Sequence, residues 1–255
     1  MQKAKLKIIL LTHSRLRVCY ILEALESCGV EIAGVYFADC ANSSMMELFR
    51  KREIRILSSL QNLKEFKASA IFSYGYTKKI EQSVIDSVDY CINFHPGILP
   101  DFKGCYTLYF ALMQDIKHWG VSAHFVTGEF DCGDIIYIEK FDLQKYQHKT
   151  GGEISRYIWE VIGIKALKKV IFMILNDTLK AKKQESSGNY YSKKMLLEQK
   201  RVSLAELETK NYNEIVKKIN ALWYPPYDGA YLELSGGGEL FLIPRKIWDE
   251  IKNKL

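Results

Sequence analysis

Several features are missing from this 255-residue chain, and each absence narrows the choices. None of its six cysteines, Cys19, Cys28, Cys40, Cys91, Cys105 and Cys132, forms a C-x-x-C pair, and several sit in apolar runs. That argues against a zinc site and a disulfide framework and for thiols of a cytosolic protein. No apolar run approaches the ~18 residues of a membrane helix, so no membrane contact is expected. The opening MQKAKLKIILLTHSR starts like a signal peptide, but its apolar run, residues 8–11, is too short and leads into His and Arg. It reads better as a first strand. No internal repeat or low-complexity tract occurs, which leaves out repeat arrays. A dominant charge sign is also lacking: 36 basic residues face 30 acidic ones, a formal charge of +6. The basic excess sits mostly between residues 163 and 220. It suits either solvated helix faces or attraction of a polyanionic substrate.

What is present describes a folded protein. Apolar residues make up 48% and charged residues 26%, enough to bury a full core. Residues 6–12 form an apolar run of the kind buried on both faces of a parallel sheet. Residues 15–27 have helical spacing, residues 32–38 read as a strand, 43–52 as a helix, and 68–74 and 90–94 as further strands. This alternation predicts a doubly wound, mostly parallel α/β sheet. Beyond it come a helix over 106–114, a strand pair around an Asp-Cys-Gly-Asp turn, and a long amphipathic helix over 151–175. The polar stretch 180–189 reads as a linker. We therefore expect a domain over residues 1–184 and a small α+β unit over 185–255, with a helix over 212–222 and a hairpin around a Gly-rich turn.

Ligands on such sheets bind beyond the carboxyl ends of the strands. At one of these ends the chain reads Cys-Ile-Asn-Phe-His-Pro-Gly, residues 91–97. Asn93 and His95 are two apart, so in a strand they face the same way. An amide donor and an imidazole, with a carboxylate to orient or charge the ring, suit attack of an amine on a carbonyl, in which an oxyanion develops and protons move. The spacing alone fits loop capping as well. His13 sits at the end of the first strand, where Ser14 and Arg15 open a helix. That corner suits a phosphate, although capping also explains Ser14.

The stretch NFHPGILPDFKG resembles the N-x-H-x-x-x-L-P-x-x-x-G signature of the 10-formyltetrahydrofolate-dependent formyltransferases. GVSAHFVTGEFDCGDII resembles their companion segment, G-x-[ST]-x-H ending in D-x-G-D. The resemblance covers most of residues 6–185 and, more loosely, the tail. It implies the same doubly wound fold and a catalytic set of Asn93, His95 and Asp131. It also implies N10-formyltetrahydrofolate as co-substrate, its pterin held largely by backbone of two loops: Tyr74, Gly75, Tyr76 and Thr77 in one, Gly128 to Asp134 in the other. His124 matches a family histidine before the acidic turn and either orients Asp131 or is structural. No metal is implied.

Family acceptors are glycinamide ribonucleotide, methionyl-tRNA and nucleotide-linked amino sugars. The tail, with QESSGNYYSKK and INALWYPPYDGAYLEL, resembles that of bacterial sugar N-formyltransferases. The expected acceptor is a nucleotide-linked, dTDP by family frequency, 3- or 4-amino-6-deoxyhexose for surface polysaccharide, with no nucleic-acid partner. Asn220 stands where relatives often carry Arg. Lys103 replaces a frequent Arg and would meet the pyrophosphate as a point charge. Trp223, Tyr224 and Tyr227 either stack on the base or pack the small unit. A homodimer built partly from the C-terminal unit is expected, because a lone two-stranded hairpin is marginal.

Overall fold

From Ile8 to Thr12 every residue is buried, as expected of a strand covered on both faces. A computed structural model, which describes residues 5–13, 18–39, 43–61, 63–185, 188–234 and 237–253, places this run in strand β1 (Lys7–Thr12). Strands β2 (Glu31–Phe37), β3 (Ala70–Tyr74) and β4 (Tyr90–His95) lie parallel with it. The short β5 (Phe102–Gly104) stays outside this sheet. Next come β6 (His118–Phe125), antiparallel to β4, and β7 (Ile135–Asp142). The six strands run in the order β2-β1-β3-β4-β6-β7, the doubly wound arrangement expected, with the direction of winding reversing at β1. The helix Val18–Ser27 buries Val18, Ile21, Leu22 and Leu25 at helical spacing.

The long helix expected over 151–175 exists with an interruption. Gly151–Tyr157 and Gly163–Leu175 are α-helical, and Ile158–Ile162 between them forms a π turn. Such a turn releases backbone carbonyls from the regular ladder. One of them, that of Trp159, accepts a hydrogen bond from the Tyr74 hydroxyl. The Tyr74 and Trp159 rings lie 5.1 Å apart.

By mutual contact the chain falls into two compact units, neither a single stretch. The first comprises Met1–Lys103, Gly120–Lys140 and Trp159–Asn189. The second comprises Gly104–Trp119, Phe141–Ile158 and Tyr190–Leu255. Most of the expected second domain thus lies in the second unit, which also takes in two segments from the middle of the chain.

The polar linker takes part in strand pairing. Lys182 exchanges two 2.8 Å backbone hydrogen bonds with Ile135, and β8 (Asn189–Tyr191) pairs with β5. In the second unit the expected hairpin is β10 (Tyr231–Glu233) with β11 (Glu239–Phe241). A third strand, β9 (Arg201–Val202), lies parallel on β10 and makes a sheet of three. The helix Tyr212–Leu222, capped by the Asn211 side chain, buries Ile215, Lys218, Ala221 and Leu222. No helix among the described residues is long and apolar enough to cross a membrane.

Candidate active site

Sheet register brings the polar groups together. Ser73 on β3 is the register partner of Asn93 on β4, and Asn93 is in turn the partner of His124 on β6. Two residues on along β4, His95 is the partner of Ser122. Because side chains alternate along a strand, Ser73, Asn93 and His124 form a row across one face. The Ser73 hydroxyl donates to Asn93 Oδ1 at 2.7 Å. Asn93 Nδ2 lies 3.1 Å from His124 Nε2 and 3.4 Å from Asp131 Oδ1. His124 Nδ1 lies 2.8 Å from the Phe125 carbonyl, which can only accept, so Nδ1 carries the proton and Nε2 accepts from Asn93.

The fourth member enters from the turn between β6 and β7. Asp131 Oδ1 stands 3.4 Å from His95 Nδ1 and 3.4 Å from His124 Nε2. Asp131 is only 8% exposed and adopts a left-handed φ of 55°, which Asp tolerates better than most residues. The turn is fixed by Gly133, where a Cβ would meet the Phe125 carbonyl oxygen at 1.8 Å. Asn93 and His95, expected to act together with Asp131, therefore both reach its carboxylate, and His124 joins them.

His95 Nε2 lies 2.5 Å from the Phe102 carbonyl and donates to it, which leaves Nδ1 facing Asp131. Burial pulls the His95 imidazole below its ordinary 6.5. The Asp131 charge and the Phe102 carbonyl oppose this, and His124 adds to it. A buried imidazole short of its second proton, with Nδ1 beside a carboxylate, can take up a proton in company with that carboxylate. Ser122, buried behind the loop after β4, donates to the Gly97 carbonyl at 2.6 Å and accepts from the Leu99 amide at 3.1 Å. This holds the 97–99 stretch in place.

Ser73 falls in one of the strand ends open to ligands, but neither it nor Ser122 has a role assigned from sequence. Ser73 is one small polar residue in an apolar strand, and its role depends on a register that only the assembled sheet displays. Ser122 occupies the Ser/Thr place of the second motif, which was a signal available at the outset.

The remaining expected residues are dispersed. Tyr74 is buried with its hydroxyl on Trp159 and its carbonyl accepting from Thr12, so its side chain belongs to the core. Gly75 and Tyr76 are half-buried and Thr77 exposed, just past β3. Gly128 and Asp134 are exposed on either side of the acidic turn. Lys103 is 7% exposed, and its ammonium makes no hydrogen bond or ion pair among the described residues. Burial raises the Cys132 thiol above its usual range, and the nearby Lys103 charge works against that. His13 stands at the end of β1, 3.5 Å from Asp39 Oδ2, two strand spacings or about 10 Å across the sheet from β4. Arg15 lies outside the described residues. Trp223 and Tyr224 belong to the second unit. There the Trp223 carbonyl accepts from the Gly152 amide at 2.8 Å, and the Tyr224 and Tyr227 rings stack 5.5 Å apart at 9°. Among the described residues no group of His, Cys, Asp and Glu is arranged to hold a metal ion.

Comparison with known proteins follows the same lines. The family model described as formyl transferase matches residues 30–171. By sequence the chain is similar to the methionyl-tRNA formyltransferase of Bacillus velezensis, 23% identical over 190 residues, which are 74% of this chain and 57% of that protein. The chain thus spans less than two thirds of that relative's length. By structure it is similar to a 4-N formyltransferase from Francisella tularensis, with a TM-score of 0.77 and 22% identity over 93% of this chain and 96% of the other. It is also similar to an N-formyltransferase from Helicobacter canadensis solved with folinic acid and dTDP-3-aminofucose. There the TM-score is 0.70 and the identity 18% over 91% of this chain and 84% of the other.

Proposed function

The chain belongs to the formyl transferase family, and on that premise we propose that it moves a formyl group from N10-formyltetrahydrofolate to the amine of a nucleotide-linked amino sugar. The observation that carries the reading is the convergence of Asn93, His95 and His124 on Asp131, each 3.4 Å from its Oδ1, at the ends of adjacent strands. The folate supplies an activated formyl carbon. As the amine attacks it, negative charge gathers on the formyl oxygen. The Asn93 N–H now spent on the long contact to Asp131 can turn to that oxygen, where a fixed donor in a buried site is most effective. The amine gives up one proton. His95 Nδ1 and the Asp131 carboxylate, side by side, take it and return it to the departing folate nitrogen. No nucleophile from the protein is required.

The loops at 74–77 and 128–134 are proposed to hold the pterin. For the acceptor, Lys103 supports a phosphate contact, since its ammonium has no partner among the described residues. His13 and Arg15 are proposed as a further basic corner. Trp223 and Tyr224 are proposed to stack on the base, a reading supported by the exposure of Tyr224 and its parallel neighbour Tyr227. The similarity to solved sugar N-formyltransferases over nearly the whole of both chains supports an amino sugar, and the Helicobacter complex supports dTDP as carrier. Cytosolic location and a role in surface polysaccharide belong to this proposal. So does a homodimer, supported by exposed Leu240, Phe241 and Trp248 in the second unit. Light scattering that finds only monomer at micromolar concentration would remove the dimer.

The curated sequence relatives favour a second reading, with methionyl-tRNA as acceptor. A competition separates the two. Formyl-folate is supplied with dTDP-amino sugars, glycinamide ribonucleotide or methionyl-tRNA, and loss of the formyl donor is followed at several salt concentrations. A tRNA acceptor brings steep salt dependence from released counterions. Turnover of methionyl-tRNA, with none of any nucleotide sugar, overturns the sugar reading.

A further inference from the structure

The position of Asp131 depends on a four-residue turn, and one side chain from far along the chain holds that turn. Gln184, in the stretch expected to be a plain linker, donates from Nε2 to the Gly133 carbonyl at 2.7 Å. The carbonyl can only accept, so the orientation of the amide is set by its partner. The other end of the same amide, Oε1, is buried with no hydrogen-bond partner among the described residues. A buried acceptor left without a donor is unfavourable, and a leucine of similar size would avoid it. The side chain is therefore explained by what its nitrogen does.

The neighbouring backbone serves the same end. Lys182 and Ile135 exchange two hydrogen bonds of 2.8 Å, which ties this stretch to the far side of the turn. The Phe125 amide donates to the Asp134 carbonyl at 3.0 Å, and the missing Cβ of Gly133 lets the turn lie against Phe125. Strand backbone thus restrains residues 133–135. Among the described residues, the only side chain that hydrogen-bonds Gly133 is that of Gln184. Two residues earlier, the Asp131 carboxylate meets Asn93, His95 and His124 at 3.4 Å in each case. Contacts of that length are lost with a small outward shift of the turn.

We propose that Gln184 is a positioning residue: through the Gly133 carbonyl it holds the acidic turn where the Asp131 carboxylate meets Asn93, His95 and His124. It touches none of the reacting groups itself. The inference rests on the reading of Asp131 as part of the reacting centre.

The test uses the full chain with Gln184→Leu and Gln184→Glu, with Asp131→Asn as reference. Gln184→Asn, which leaves the amide one methylene short of Gly133, takes the place of either variant that does not fold. Two quantities are read: kcat for formyl transfer, and the titration of the His95 and His124 rings by NMR. At neutral pH both variants should lose about tenfold or more in kcat while remaining folded. Their His95 titration should move toward that of Asp131→Asn. As the pH falls, Gln184→Glu should regain activity relative to Gln184→Leu, because a protonated carboxyl can again donate to Gly133. Wild-type imidazole titrations in the folded variants overturn the proposal, whether or not kcat falls. The NMR measurement needs no acceptor. If no amino sugar turns over but the imidazoles respond, the acceptor reading fails and the role of Gln184 stands.

Discussion

Asn93 and His124 are register partners on antiparallel strands, and the asparagine amide points its nitrogen at the histidine's Nε2 across 3.1 Å. With the Ser73 hydroxyl on its oxygen, the amide cannot flip without losing both bonds. The sheet therefore decides which end of Asn93 faces Asp131, and the end that faces it is a donor. An oxyanion site needs a donor there.

Two substitutions test this lock. Ser73→Ala leaves the Asn93 oxygen without its donor and should lower stability by about 1–3 kcal/mol, with a modest fall in kcat. His124→Ala frees the nitrogen end and should cost on the order of a hundredfold in kcat through misplacement of the amide. Urea denaturation and steady-state kinetics read the two effects separately. Wild-type kcat in folded His124→Ala would show that the orientation of Asn93 does not matter.

Charge at Asp131 carries a pH signature. Burial holds His95 below 6.5, and the Asp131 carboxylate is the chief influence pushing it back up. Asp131→Asn removes that influence, so the His95 value should drop further. If protonation of His95 causes the acid limb of kcat/KM, that limb should move to lower pH in Asp131→Asn, at a rate lower by on the order of a hundredfold or more. The sign for stability follows from the same shift. The unfolded chain, with the higher value, binds more protons, so this site's contribution is complete above pH 6.5 and is lost as the pH falls below it. An acid limb that moves upward in Asp131→Asn would contradict the assignment.

Much of the frame was readable in advance because it rests on local pattern. The apolar runs at β1 and β3 could only be covered strands, and the two-residue spacing of Asn93 and His95 already placed them on one face. What escaped depends on pairing across the sheet. Ser73 is one small polar residue in AIFSY, and nothing local says that it will face Asn93. Gln184 sits among Lys, Glu and Ser, a composition that reads as solvated chain, yet its amide is bonded to a turn fifty-one residues away. The two residues of β9 are too few to show a period. The π turn inside the helix over 151–175 leaves the apolar spacing of that helix nearly unchanged, so only the assembled backbone reveals it.

In the second unit a capping box carries a different pH dependence. Glu153 closes the box with Thr150 and bonds to Lys246 at 2.7 Å. Burial pushes its carboxyl up, but the Lys246 and Thr150 hydrogen bonds outweigh that and hold it at about 2, well below the ordinary 4.5. A depressed carboxylate stabilises fully above the unfolded value and loses that contribution as the pH falls from about 4.5 toward about 2. Glu153→Gln should therefore flatten the stability curve across that window and leave its slope at neutral pH unchanged. Thermal melts of both proteins between pH 2 and 7 check this. Equal slopes in the acid window would remove Glu153 as the cause.

Two glycines separate the geometry of the candidate centre from the loop proposed to seat the folate. At Gly97 a Cβ would stand 2.6 Å from His95 Nε2 and 2.9 Å from the Phe102 carbonyl, the two atoms of the bond that sets the imidazole. Gly97→Ala must therefore turn the ring or move the strand end. Either shift pulls Nδ1 off Asp131, and kcat should fall on the order of a hundredfold while a folate analogue binds as before. At Gly128 an added Cβ meets nothing within 4 Å, and the backbone is outside the left-handed region, so alanine should fold with an unchanged melting temperature. If the 128–134 loop seats the pterin through close backbone approach, the methyl group stands in the ligand's way. The Kd for the analogue, read by calorimetry, should then rise while the protein alone is unaffected. Tight folate binding by Gly128→Ala would move the pterin away from this loop, and full activity in Gly97→Ala would show that the His95 ring need not be held against Phe102.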